Sequence, residues 1–142
     1  MTRYLLDTNV VSELRKAKPH GAVVAWMKTL RPEQIFLSAL TIGELQAGVE
    51  RTRKTDAAKA AEIEKWITEI EGSLATLPMD SACFREWARI MAGKSDELIE
   101  DAMIQNMMIA ATARVRGLEV ATRNEQDFRQ FQVLAFNPFQ FA

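Results

Sequence analysis

In 142 residues the sequence holds one cysteine, Cys83, and one histidine, His20. A single thiol cannot build an internal disulfide framework or a multi-cysteine zinc site, and it suits a reducing compartment, with the cytoplasm as the default. Cys83, with Trp87 one turn on, reads as a small buried hydrophobe. A single imidazole leaves a two-histidine ribonuclease mechanism or a serine triad without its parts. It stands in Pro19-His20-Gly21, which reads as a surface turn. Of the six glycines, Gly43 and Gly48 flank no lysine of the kind a phosphate-binding loop requires. No window reaches the ~18 uninterrupted apolar residues of a membrane span, and the opening MTRYLLD carries no apolar stretch behind a basic flank. Charge of one sign is missing too: 18 basic residues against 19 acidic leave a net charge of −1, so no overall field favours a polyanion. Nucleic acid would have to be met locally. Arg51, Arg53 and Lys54 form one basic cluster and Arg114, Arg116 and Arg123 another, each readable alone as solvated helix surface.

What remains is a chain 48% hydrophobic, enough for one domain over 1–142 burying roughly two-thirds of its unfolded surface. Strand-like and helix-like pieces alternate, which predicts an α/β fold: a mainly parallel sheet of four or five strands between two helical layers. Strands are expected from Arg3 to Leu6, Gln34 to Ser38, Leu74 to Leu77, Leu118 to Ala121 and Gln132 to Phe136. Helices are expected from Val10 to Lys16, Gly21 to Leu30, Thr41 to Thr52, Asp56 to Glu71, Asp80 to Gly93 and Leu98 to Val115. Apolar spacing supports them, for example Ile63, Trp66, Ile67 and Ile70. Pro19, Pro32 and Pro78 fall at the breaks, and Gly117 reads as a helix stop. Met103, Met107 and Met108 read as core filler, and the aromatic tail Phe136-Asn137-Pro138-Phe139-Gln140-Phe141 as packing back onto the body or a partner.

Ligands of an open parallel sheet sit beyond the carboxyl ends of its strands. Asp7 follows the first strand, Glu44 stands in the first turn after the second, and Thr122-Arg123-Asn124-Glu125-Gln126-Asp127 follows the fourth. Each has a structural explanation: Asp7, Thr8 or Asn9 could cap a helix, Thr41 with Glu44 fits a capping box, and Asp127 with Phe128 could start a turn. Capping does not explain several carboxylates on one edge. Two of them about 4 Å apart repel by roughly 4 kcal/mol at an effective dielectric near 20, and a divalent cation removes that repulsion. Oxygen donors without histidine or cysteine suit Mg²⁺, with Mn²⁺ substituting. Such an ion activates water and offsets charge on a phosphoryl group, so phosphodiester hydrolysis follows.

Three stretches, Leu5-Leu6-Asp7-Thr8-Asn9-Val10-Val11-Ser12-Glu13, Leu37-Ser38-Ala39-Leu40-Thr41-Ile42-Gly43-Glu44-Leu45, and Ile109-Ala110-Ala111-Thr112-Ala113 with Ala121-Thr122-Arg123-Asn124 and Asp127-Phe128, resemble the PIN-domain ribonucleases. The nearest branch is the VapC-like toxins of bacterial toxin-antitoxin pairs. The resemblance runs from the first strand to the tail and implies a Mg²⁺-dependent endoribonuclease acting on structured RNA such as tRNA. It further implies inhibition by a cognate antitoxin that alone contacts operator DNA, and a homodimer. By match it makes Asp7 and Glu44 the first two catalytic acids and metal ligands and puts Asn124 or Asp127 near the fourth, Asp127 being the carboxylate of the two; Asp101 is taken as the third acid and metal ligand. Thr8, Asn9, Asn106, Thr122, Arg123 and Asn124 would orient ligands or hold RNA.

The third acid departs from the family pattern. Counting back from Ile109-Ala110-Ala111-Thr112-Ala113 the slot holds Asn106, and counting forward from Gly93 through Leu98 it holds Asp101. Five residues advance a helix by ~7.5 Å and leave two side chains ~140° apart, so only one of them reaches an ion directly. Packing favours Asn106, and charge favours Asp101, the preferred assignment. With Asn106 in the slot the chain would be a weak or inactive binding module acting through its antitoxin.

Overall fold

A computed structural model of the chain describes residues 1–94 and 99–142. Its first strand, β1 (Tyr4–Leu6), is short and apolar because it is buried from both sides: Leu5 and Leu6 are both fully buried, on opposite faces. Strand β1 pairs in parallel with β2 (Ile35–Ser38) and β4 (Glu119–Ala121), with β3 (Ala75–Leu77) beyond β2 and β5 (Ala135–Phe136) beyond β4. The order is β3-β2-β1-β4-β5, every pairing parallel.

Leu6 packs among Val10, Val23, Trp26 and Leu37 beneath α1 (Thr8–Arg15), α2 (Gly21–Lys28), α3 (Ala39–Arg53) and α4 (Ala57–Ser73). On the other face Leu5 meets Met107, Ala110, Val120 and Phe128 beneath α5 (Ser81–Ala92), α6 (Asp101–Arg116) and α7 (Glu125–Arg129). The chain walks outward from β1 to β3 and then returns to the far side of β1 as β4. The direction reverses between β1 and β4, and beyond the carboxyl ends of such a pair an open α/β sheet forms its crevice.

The expected three-layer architecture is therefore present, with differences at the ends of elements. Helix α3 begins at Ala39 with Ser38 as its cap, the Ser38 hydroxyl accepting from the Leu40 N–H at 3.1 Å. Thr41 and Glu44 thus lie inside the helix, so the capping-box reading of this pair is wrong. Helix α7 was not expected: it encloses Asp127, and its one buried side chain, Phe128, is too little to give so short a segment a visible apolar period. Strand β5 begins later than expected because Gln132 takes a left-handed backbone, φ 57°, and bends the chain. The expected helix start at Leu98, and Ser95 to Glu97 before it, lie outside the described residues. The helix seen there starts at Asp101, with Glu100 as its cap. Gly117 ends it with φ 68°, a conformation costly for a residue with a Cβ. Cys83 is fully buried, as is Met107. The tail packs back: Phe139 lies edge-on to His20 at 5.4 Å between centroids, and Phe136 meets Trp26 at 5.5 Å.

Candidate active site

Asp7 sits where β1 hands over to α1, directly beyond the reversal point. Its backbone N–H still belongs to the sheet, donating to the Ala121 carbonyl at 2.9 Å, while its side chain caps α1 by accepting from the Thr8 N–H at 2.8 Å. The other carboxylate oxygen accepts from Thr122 Oγ1 at 2.8 Å and Asn9 Nδ2 at 3.2 Å. Thr122 follows β4 and is fully buried, so the pair ties the two strands together at the crevice. Asn9 is gripped from its other end, its Oδ1 accepting from the Arg123 N–H at 3.3 Å. The Asn124 N–H donates to Thr122 Oγ1 at 3.0 Å. Thr8, Asn9, Thr122 and the backbone of Arg123 and Asn124 thus form one hydrogen-bonded shell around Asp7.

Glu44 arrives from α3. Its Oε1 accepts from Thr8 Oγ1 at 3.1 Å, and Thr8 Oγ1 lies 3.0 Å from Thr41 Oγ1. A threonine hydroxyl has one proton; with Thr8 donating to Glu44, Thr41 donates to Thr8. Thr41 is fully buried, and reading it as a cap concealed this role. The two carboxylates are therefore joined through a single residue, Asp7 through the backbone of Thr8 and Glu44 through its hydroxyl.

Both acids carry the electrostatic cost of that arrangement. Burial pushes the Asp7 carboxyl above the ordinary carboxylate range, an effect opposed by the hydrogen bonds from Thr122, Thr8 and Asn9 and reinforced by the charge of Asp127. Burial also raises Glu44; the Thr8 bond opposes this and the Asp7 charge adds to it. Three donors on one carboxylate would ordinarily favour its charged form. Here burial outweighs them, and among the described residues neither carboxylate forms an ion pair.

The remaining expected site residues lie further out. Asp127 is exposed on α7 and reaches Asp7 through its charge alone. Asp101 is exposed in the first turn of α6, and Asn106 half-buried in the second. Among the described residues no three acidic, histidine or cysteine side chains gather closely enough to hold an ion between them. Arg123 stacks its guanidinium 3.8 Å from the Phe139 ring centroid and approaches Glu13 at 3.9 Å. A cavity of about 530 Å³ opens beside Glu44, with Thr8, Glu44 and Gln105 among its walls.

Residues 4–134 match the PIN domain family. The chain belongs to the PIN domain family. Among curated relatives of this PIN domain, the VapC ribonuclease Y4jK of Sinorhizobium fredii is 36% identical, covering 97% of this chain and 99% of that protein. Toxin FitB of Neisseria gonorrhoeae is 34% identical over 95% of this chain and 97% of its own. The solved structure of FitAB bound to a DNA fragment superimposes with a TM-score of 0.83 at 31% identity, covering 98% of this PIN domain and 97% of the matched chain.

Proposed function

We propose that this PIN domain is the toxin of a toxin-antitoxin pair: an endoribonuclease that hydrolyses RNA phosphodiesters with Mg²⁺, structured RNA such as tRNA being the substrate class. One observation carries the reading: Asp7 and Glu44, from two different strand ends, converge on Thr8 with both carboxyls raised by burial. The donor set fits the ion, since Mg²⁺ is ordinarily held by one or two carboxylates together with waters and substrate phosphates rather than by a complete protein cage. When bound, Mg²⁺ supplies an activated water and offsets charge developing on the phosphoryl group.

The chain's own residues do the rest. Asp7 and Glu44 would hold the ion, with Asp101 as the third carboxylate and Asp127 adding negative potential. Thr122 and Asn9 keep the Asp7 carboxylate in one orientation, and Thr41 and Thr8 do the same for Glu44, as outer partners of metal ligands generally do. Arg123, on the same rim, would hold the RNA backbone. The toxin reading draws on relatives named as a VapC ribonuclease and as toxin FitB. The FitAB complex with DNA supports a cognate antitoxin that carries the DNA contact, and a homodimer completes the assembly. No helix among the described residues is long and apolar enough to cross a membrane, in keeping with action in the cytoplasm.

The test uses the purified chain freed of any antitoxin, tRNA as substrate, and Mg²⁺. Cleavage should appear, stop on addition of EDTA, and be lost in Asp7→Ala. Cutting that continues in EDTA would refute the mechanism. A second reading, a PIN-fold binding module acting through its antitoxin, is favoured by the missing three-acid cluster among the described residues. It becomes the better one if calorimetry detects no Mn²⁺ binding and tRNA stays intact.

A further inference from the structure

We propose that the groove descending from Glu44 between α1 and α3 seats one unpaired nucleotide of the RNA, with a strand phosphate held between Arg15 and Arg51. This deepens the ribonuclease reading and rests on it. The groove is the cavity of about 530 Å³ beside Glu44, within the range of small-ligand sites. Its two walls carry matching patterns. Thr8, Ser12 and Arg15 stand at i, i+4 and i+7 on α1, and Glu44, Gly48 and Arg51 stand at the same spacing on α3; all six line the groove. That spacing keeps each set on one helix face, so an arginine ends each wall about 10 Å along the axis from the acid rim.

Of the arginines without an ion pair among the described residues (Arg3, Arg15, Arg31, Arg51 and Arg85), Arg15 and Arg51 are the two that line this groove. Among the described residues Arg53 is paired with Glu50 and Glu64, Arg114 with Glu86, Arg116 with Asp80, and Arg129 with Glu125. Arg15 and Arg51 have no ion pair there, although both border the groove that contains Glu44. Two uncompensated guanidinium groups suit a phosphate, which accepts their paired N–H donors. Leu45 and Ile63 add apolar surface to the groove wall for the face of a base, and the Gln105 amide, which also lines it, can both donate to and accept from a base edge. Bases presented this way are single-stranded ones, turned out of a helix or a loop.

The experiment measures binding of a short labelled single-stranded RNA by fluorescence anisotropy in EDTA, where cleavage does not interfere. Arg15→Gln and Arg51→Gln should each weaken binding several-fold and reduce the slope of log affinity against log salt by about 0.7; the double variant should lose at least tenfold. Arg85→Gln, an exposed arginine on α5, should bind like the parent. Gly48→Leu tests the space without changing charge. A Cβ at 48 meets only the end of the Arg51 side chain, at 3.7 Å, so this variant should keep its melting temperature and still bind RNA more weakly. Unchanged affinity and salt slope in the arginine variants overturn the proposal, as does undiminished binding by Gly48→Leu. A labelled polyglutamate peptide that binds more tightly than the RNA and loses affinity in the same variants would reassign the groove to an acidic protein segment and overturn it as well. Mg²⁺-dependent cleavage of tRNA with binding indifferent to these substitutions would leave the ribonuclease reading standing and sink the groove alone. Substitution-sensitive binding by a chain that cuts nothing would do the reverse.

Discussion

Replacing Glu44 by Gln should stabilise the protein in the absence of metal. The amide keeps the side chain's length and an oxygen for the Thr8 hydroxyl, and removes one of two charges that meet at Thr8, whose N–H lies 2.8 Å from Asp7 Oδ1 and whose Oγ1 lies 3.1 Å from Glu44 Oε1. Two unit charges bridged in this way, about 6–9 Å apart, repel by about 1.8–2.8 kcal/mol at an effective dielectric of 20 and by about 0.5–0.7 kcal/mol in bulk water. Glu44 is half-exposed, so solvent screening brings the gain to about 1 kcal/mol, or roughly 3 °C in melting temperature for a chain of this length. The pH dependence has a definite sign. The folded state raises the Glu44 carboxyl above its ordinary value, so the folded protein binds that proton more tightly than the unfolded chain does. Stability from this group is complete below the unfolded value and is lost as pH rises through the folded one. The variant's lead should therefore be largest near neutral pH and shrink as pH falls through the carboxylate range. Saturating Mn²⁺ should reverse the order, because an ion at a hundred times its dissociation constant adds about 2.7 kcal/mol to a protein that binds it, and the variant has lost a ligand. Calorimetric melts in EDTA and in Mn²⁺ across that range decide the matter. A variant melting at or below the parent in EDTA at neutral pH, or a lead indifferent to pH, would refute the electrostatic account.

Thr122→Val removes the 2.8 Å bond to Asp7 while keeping the side chain's shape. A hydrogen bond to a charged group is worth about 1.5–3 kcal/mol, so the melting temperature should fall by roughly 5–9 °C, and Mn²⁺ affinity measured by calorimetry should fall about 10- to 100-fold; an unchanged affinity would show that Asp7 is held without Thr122. Asp101→Asn should cost at most about 1 kcal/mol, since Asp101 is exposed in a first helical turn where a carboxylate gains modestly from the helix dipole. It should nevertheless reduce Mg²⁺-dependent cleavage at least tenfold. Full activity in Asp101→Asn, together with tighter Mn²⁺ binding by Asn106→Asp, would transfer the third position to residue 106.

How much of this was legible depended on whether a residue's role is local. Tyr4-Leu5-Leu6 followed by Asp7 announces a two-sided strand ending in a charge, because both facts lie within four residues. The parallel pairing of the strands, though not their order, followed from alternation alone, since parallel neighbours require crossovers long enough to show as helices. Thr41 was misread because Thr41-x-x-Glu44 satisfies a local capping rule equally well. The earlier serine, Ser38, competes for the same helix end, and only the approach of α1, 33 residues earlier in sequence, gives the buried hydroxyl its partner. Arg51 is visible in the sequence as part of a basic cluster, but its i, i+4, i+7 relation to Glu44 and Gly48, and that of Thr8, Ser12 and Arg15, carries no signal of a shared groove. Nothing in either helix alone says that the two faces oppose each other.

The third carboxylate turns on the same distinction. Gln105 lines the groove with Thr8 and Glu44, and it stands four residues after Asp101 in one continuous helix. Four residues turn a helix by about 400°, so Asp101 and Gln105 lie about 40° apart on one face, with Asp101 about 6 Å further toward the helix start. Asn106 is about 100° round from Gln105 and half-buried, while Asp101, one turn out on the Gln105 side, is exposed. A carboxylate in that position suits contact through a water more than direct coordination, and Mg²⁺ retains several of its waters when bound. If Asp101 is the third carboxylate, the five-residue departure from the family spacing changes the distance of that charge and leaves it on the side of α6 that Gln105 shares with the groove.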